Sequence, residues 1–106
     1  MAQADSPHVV PLEGEIDLYV SPGIAVSLAG MAAKRLAHIV VDLTGVTYVD
    51  SSGLAALIQG MQDVEEYGGK FALAGVQDNV RPIFEIAKLD QVFEIFPDVD
   101  SALAAK

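Results

Sequence analysis

Cysteine is absent from all 106 residues, so neither a disulfide framework nor a thiolate metal site is available. No apolar run approaches the roughly 20 residues that a membrane-spanning helix needs. The start, MAQADSPHVV, has no basic segment followed by a long apolar stretch, so no signal peptide is expected. Together these absences predict a soluble, cytoplasmic protein with no membrane partner. Positive charge is scarce as well: Lys34, Arg35, Lys70, Arg81, Lys88 and Lys106 lie scattered among fifteen carboxylates, for a net charge of −9. Such a surface repels a phosphate backbone, and direct nucleic-acid binding is not expected. The surplus acid either solubilises the surface or meets a basic protein partner. The only histidines, His8 and His38, are far apart, and the carboxylates fall at no metal-ligand spacing. No metal and no cofactor is therefore expected.

What is present reads as one domain. A chain of this length that is 52% hydrophobic can bury one proper core but not two, and we divide it into a tail at 1–7 and a domain at 8–106. Along the domain, apolar patterns alternate. His8 to Ile16 predicts a strand whose Pro11 suits an edge. Ser21-Pro22 supplies a helix cap and first-turn proline, followed by Ile24, Leu28, Met31 and Leu36 near one helical face. Ile39-Val40-Val41-Asp42-Leu43 predicts a central strand covered on both faces and broken at Gly45. Leu54, Leu57, Ile58, Met61 and Val64 keep helical spacing up to Gly68-Gly69. Phe71 to Ala74 predicts a buried strand. Asp78 then caps a third helix with Val80, Ile83, Phe84 and Ala87 inward, and Pro82 is tolerable near its first turn. Val92 to Phe96 predicts a last strand, and Asp98 opens a short helix with Val99, Ala102 and Leu103 inward. The order β-α-β-α-β-α-β-α calls for a largely parallel or mixed sheet flanked by helices, with functional loops after the strands' C-terminal ends.

One such loop, residues 44–52, carries the chemistry. Asp50-Ser51-Ser52-Gly53 stands where a helix begins, and unpaired N–H groups and the helix dipole there favour negative charge. The plain reading makes Asp50, Ser51 or Ser52 an ordinary helix cap. A nucleophilic serine fits poorly. The hydrolase elbow needs glycine on both sides, whereas Ser51 has Val49 and Gly53 two residues away. His38 precedes strand 39–43 while Ser51 follows it, which separates them by roughly 15 Å or more. His38 then reads as a surface-loop residue and His8 as a strand-entry residue. No glycine-rich phosphate loop occurs, and an aspartyl-phosphate receiver built on Asp42 would lack its acidic cluster and its lysine. Asp42 itself stands either behind Ser51 or bonded to a loop N–H. Leu54, Leu57, Ile58 and Met61 read as core rather than as a partner-binding stripe. Gly53 permits close backbone approach at the loop-helix junction.

Gly14-Glu15-Ile16-Asp17, Ile39 to Leu43, Tyr48-Val49-Asp50-Ser51-Ser52-Gly53-Leu54, Gly68-Gly69-Lys70, Val80 to Leu89 and Val92-Phe93 resemble the STAS domain of bacterial anti-sigma factor antagonists over residues 8–104. The resemblance implies an α/β fold with a four- or five-stranded mixed β-sheet and about four helices. It also implies a binding module rather than an enzyme. Its partners would be an anti-sigma factor that is also a serine kinase of the histidine-kinase-like ATPase type, and a serine phosphatase. Ser51 is the implied phosphorylation site, with Ser52 as the alternative, and Glu15, Asp17, Asp50, Ser51, Ser52 and Gly53 form the implied partner-binding set. Family members often carry a further strand before Gly14-Glu15-Ile16-Asp17, and only MAQADSP remains here to supply it, so an open sheet edge is expected. A constitutive STAS scaffold, or a subunit of a stress-signalling or lipid-transport complex, is the alternative role.

Overall fold

A computed structural model describes residues 7–105. Four strands, β1 (His8–Ile16), β2 (His38–Val49), β3 (Lys70–Ala74) and β4 (Glu94–Phe96), stand side by side in chain order. Between them run α1 (Ser21–Ala33), α2 (Ser51–Glu66) and α3 (Arg81–Ile86), the last followed by a 3₁₀ turn at Leu89–Gln91, and α4 (Val99–Ala104) closes the chain. All three strand pairings are parallel. Every strand of a mixed sheet that runs antiparallel is thus missing from the described residues, and the position of a further N-terminal strand, residues 1–6, lies outside them.

Parallel neighbours joined in chain order by right-handed crossovers place their connecting helices on one face. Leu28 of α1, Leu57, Met61 and Val64 of α2 and Phe84 of α3 accordingly share one buried cluster with Ile39, Val41, Leu43, Phe71 and Leu73. Alternate strand residues face the other way, where Val40 and Ala74 meet Ala102 of α4. Of the expected stripe on α2, Leu54, Leu57 and Met61 are buried and Ile58 is partly so. The helices α1 and α2 come close because Gly60 has no side chain: a Cβ there would stand 2.7 Å from Leu28 Cδ1.

Several expectations need correction. β2 does not stop at Gly45 but continues to Val49, because β1 offers a partner as far as Ile16 and two register shifts absorb the irregular stretch. Val46 and Val49 are buried there, while Thr47 and Tyr48 are exposed. The expected nine-residue loop shrinks to Asp50. Ser21 does not cap α1 but is its first residue, and Asp78 makes no capping bond to α3, whose flanking residue is Val80. Helix α1 ends before Leu36, which packs on the core from the following loop. The last strand starts only at Glu94, leaving Val92 exposed, and Leu103 is also exposed. His38 is the first residue of β2 rather than part of a loop. Burial, and then Lys70, holds its imidazole below the usual histidine range against the opposing effect of Glu94.

Candidate functional site

The C-terminal ends of β1 and β2 lie side by side, with Ile16 in register with Val49. The chain leaves both strands toward a helix, so the starts of α1 and α2 meet. Asp50, in extended backbone, caps α2 and accounts for nearly every donor of its first turn. Its Oδ1 accepts the N–H groups of Ser52 at 2.9 Å and Gly53 at 3.1 Å, and its carbonyl accepts Leu54 N–H at 3.0 Å. Its own N–H donates to the Ile16 carbonyl at 3.1 Å. The Ser52 hydroxyl also donates to Asp50 Oδ1, at 2.5 Å. That bond first, and the Gly53 N–H next, hold the Asp50 carboxyl below its ordinary range, since bonds to the charged form favour it.

The loop after β1 is shaped by Asp17. Its Oδ1 accepts the N–H groups of Tyr19 at 3.0 Å and Val20 at 3.3 Å, and its carbonyl accepts Ser21 N–H at 2.9 Å. The turn so formed holds Leu18, Tyr19 and Val20 outward, at 69%, 91% and 42% exposure. Between the two helix starts, the Ser21 hydroxyl lies 2.6 Å from the Asp17 carbonyl oxygen and 2.8 Å from Ser52 Oγ. Ser21 is 5% exposed, the only buried polar residue among those described. An apolar groove of about 300 Å³ runs past this junction, lined by Leu18, Pro22, Ala25, Ala56 and the two serines Ser21 and Ser52.

Gly53 explains why the junction is tight. A Cβ on it would stand 2.7 Å from Ile16 Cγ2, 2.9 Å from Val49 Cγ1 and 3.0 Å from the Ile16 carbonyl oxygen.

Of the residues singled out in the sequence, Asp50, Ser51, Ser52 and Gly53 form the first turn of α2, and Asp17 is brought to it through Ser21. Ser51 is exposed, and no described hydrogen bond engages its hydroxyl; Ser52 is half-buried and bonded. Glu15 is exposed and paired in register with Tyr48, flanked by the buried Ile16 and Val49, and no described hydrogen bond joins it to either serine. Asp42 serves its own strand, accepting from Thr44 N–H at 3.0 Å and from the Thr44 hydroxyl at 2.6 Å. Sequence reasoning missed Ser21 and the exposed Leu18-Tyr19-Val20 turn. The signal was available: loops that follow neighbouring parallel strands emerge at the same sheet edge and must touch.

Among the described residues no helix is long and apolar enough to cross a membrane, and no group of three or more histidines and carboxylates is placed to hold a metal ion.

A model of the STAS domain matches residues 1–102 of the chain. An anti-sigma-B factor antagonist of Listeria monocytogenes is 30% identical over 94 residues, covering 88% of this chain and 82% of that protein. Among solved structures, an anti-sigma factor antagonist from Mycobacterium paratuberculosis superposes with a TM-score of 0.84 at 26% identity, covering 96% of this chain and 86% of its own. The Bacillus cell fate determinant SpoIIAA, solved in its phosphorylated form, shares the fold with a TM-score of 0.73 at 18% identity, covering 96% and 92%.

Proposed function

The chain belongs to the STAS domain family, and from that membership we propose that it is an anti-sigma factor antagonist switched by phosphorylation at Ser51. Unmodified, the first turn of α2 and the exposed Leu18-Tyr19-Val20 turn dock on an anti-sigma factor, which releases its sigma factor. The anti-sigma factor is a serine kinase of the histidine-kinase-like ATPase type, and a serine phosphatase restores the binding form. The role is binding rather than catalysis. Relatives that bear this function's name support the reading.

The observation that carries it is the contrast at the helix start: an exposed hydroxyl on Ser51, on a rigid turn beside an exposed apolar tip. Phosphorylation adds about −1.5 to −2 charge next to Asp50, in a chain already at −9. Helix starts normally offer several N–H groups to a phosphate. Here Asp50 already takes those of Ser52, Gly53 and Leu54, which leaves Ser51 N–H as the free first-turn donor among the described bonds. The phosphate therefore stays at the surface with little internal neutralisation, where it meets the partner. A packed or acidic partner surface rejects it, and an unpaired charge at an interface commonly costs about 2 to 5 kcal/mol.

Wild-type, Ser51→Ala and Ser51→Asp proteins serve as baits in extracts of the native cells, with retained proteins identified by mass spectrometry. Wild type and Ser51→Ala should hold a histidine-kinase-like ATPase that Ser51→Asp loses. Retention of the same assembly by all three would overturn the switch and favour a constitutive scaffold.

A further inference from the structure

Three oxygen contacts link the two helix starts: Asp17 carbonyl to Ser21 Oγ at 2.6 Å, Ser21 Oγ to Ser52 Oγ at 2.8 Å, and Ser52 Oγ to Asp50 Oδ1 at 2.5 Å. Both ends of this chain are acceptors without a hydrogen, a peptide carbonyl and an ionised carboxylate, and each serine brings one. Two hydrogens serve three contacts. The carboxylate draws that of Ser52, because bonds to a charged acceptor are the stronger ones. The hydrogen of Ser21 is then shared between the Asp17 carbonyl and Ser52 Oγ. The carbonyl already receives the N–H groups of Ser21 and Val20, at 2.9 and 3.2 Å, and is satisfied either way.

Ser52 is thereby held from both sides, its hydrogen on Asp50 and its oxygen against the buried Ser21. Its neighbour Ser51, identical in chemistry, has no such tie. We propose that Ser21 is a positioning residue: it clamps the Ser52 hydroxyl into the helix junction and so confines phosphorylation to Ser51. This rests on the reading of Ser51 as phosphoacceptor. In the transfer, Ser51 Oγ bonds to the γ-phosphorus of ATP as the bond to the bridging oxygen breaks, ADP leaves, and the hydroxyl proton passes to a base of the kinase. Ser52 would first have to leave two contacts, a handicap of roughly tenfold or more.

Two measurements test this on the intact protein. Hα–Hβ scalar couplings report the Ser52 rotamer without any kinase: one rotamer is expected in wild type, averaging in Ser21→Ala, and recovery in Ser21→Thr, which keeps the hydroxyl. Phosphosite mapping in ATP-supplied extract of the native cells should find phosphate on Ser51 only in wild type and on neither serine in Ser51→Ala. In Ser51→Ala/Ser21→Ala, Ser52 labelling should rise by roughly tenfold. With wild-type Ser51 phosphorylated, a Ser52 rotamer unmoved by Ser21→Ala, or Ser52 labelled equally with and without Ser21, overturns the role of Ser21 alone. Absence of phosphate on wild type overturns the phosphoacceptor reading and with it the confinement.

Discussion

Replacing Gly53 with alanine sets two effects of opposite sign against each other. Alanine is favoured over glycine inside a helix by up to about 1 kcal/mol, and less so at the third helical position. Against this stands the added methyl group, 2.7 Å from Ile16 Cγ2, 2.9 Å from Val49 Cγ1 and 3.0 Å from the Ile16 carbonyl oxygen. That oxygen accepts the Asp50 N–H, so it cannot recede without loosening the cap of α2. Overpacking of this kind costs about 1 to 3 kcal/mol, and the net loss is about 1 to 2 kcal/mol. For a domain of this size that lowers Tm by roughly 5 to 15 °C. The internal control is Gly30→Ala on α1, where a Cβ meets nothing within 4 Å; it should stabilise by about 0.5 to 1 kcal/mol. Thermal and urea unfolding followed by far-ultraviolet circular dichroism measure both. A Gly53→Ala protein at least as stable as wild type refutes the steric account of this junction.

Acid should reveal the caps. Asp50 and Asp98 are held below the ordinary carboxylate range, by Ser52 and Gly53 and by Ser101 respectively; their stabilisation is present above the unfolded value of about 3.9 and is lost as pH falls through the lower folded values. Asp50→Asn keeps a capping side chain but should flatten part of that acid limb in urea titrations at stepped pH. His38 adds a second limb: held below the usual range by burial, it should make stability fall as pH drops below about 6.5, and His38→Gln should remove that limb. Ser52→Ala should cost about 1 kcal/mol and Ser51→Ala less than about 0.5 kcal/mol in chemical unfolding; equal losses would contradict the unequal bonding of the two hydroxyls. Tyr67→Phe removes the 2.7 Å bond to the Leu36 carbonyl and should lower stability by about 1 kcal/mol, read by the same titrations.

Much of this architecture was legible because burial leaves a period in the sequence. The runs at 39–43 and 71–74 and the spacing of Leu54, Leu57, Met61 and Val64 each report how many faces are covered, and the structure buries them accordingly. The extension of β2 beyond Gly45 was not legible, since it depends on a partner strand and on register shifts that adapt to it. The site divided the same way. Local chemistry singled out Asp50, Ser51, Ser52 and Gly53, because a cap acts within four residues of itself. Ser21 lies 31 residues from Ser52, and its own neighbourhood, a serine before a proline, imitates a cap so well that the longer-range role left no trace.

Every residue of the candidate site lies between Glu15 and Gly53, in a single strand-helix-strand unit and the first turn of the next helix. The remainder of the chain serves this unit as scaffold: β3 and β4 extend the sheet away from it, and α4 packs on the opposite face. Surface changes or attachments on the far strands and the last helix are consequently shielded from the docking surface by the thickness of the sheet. One such module suits assembly into larger chains, with specificity written into its first half and the attachment point carried by its second.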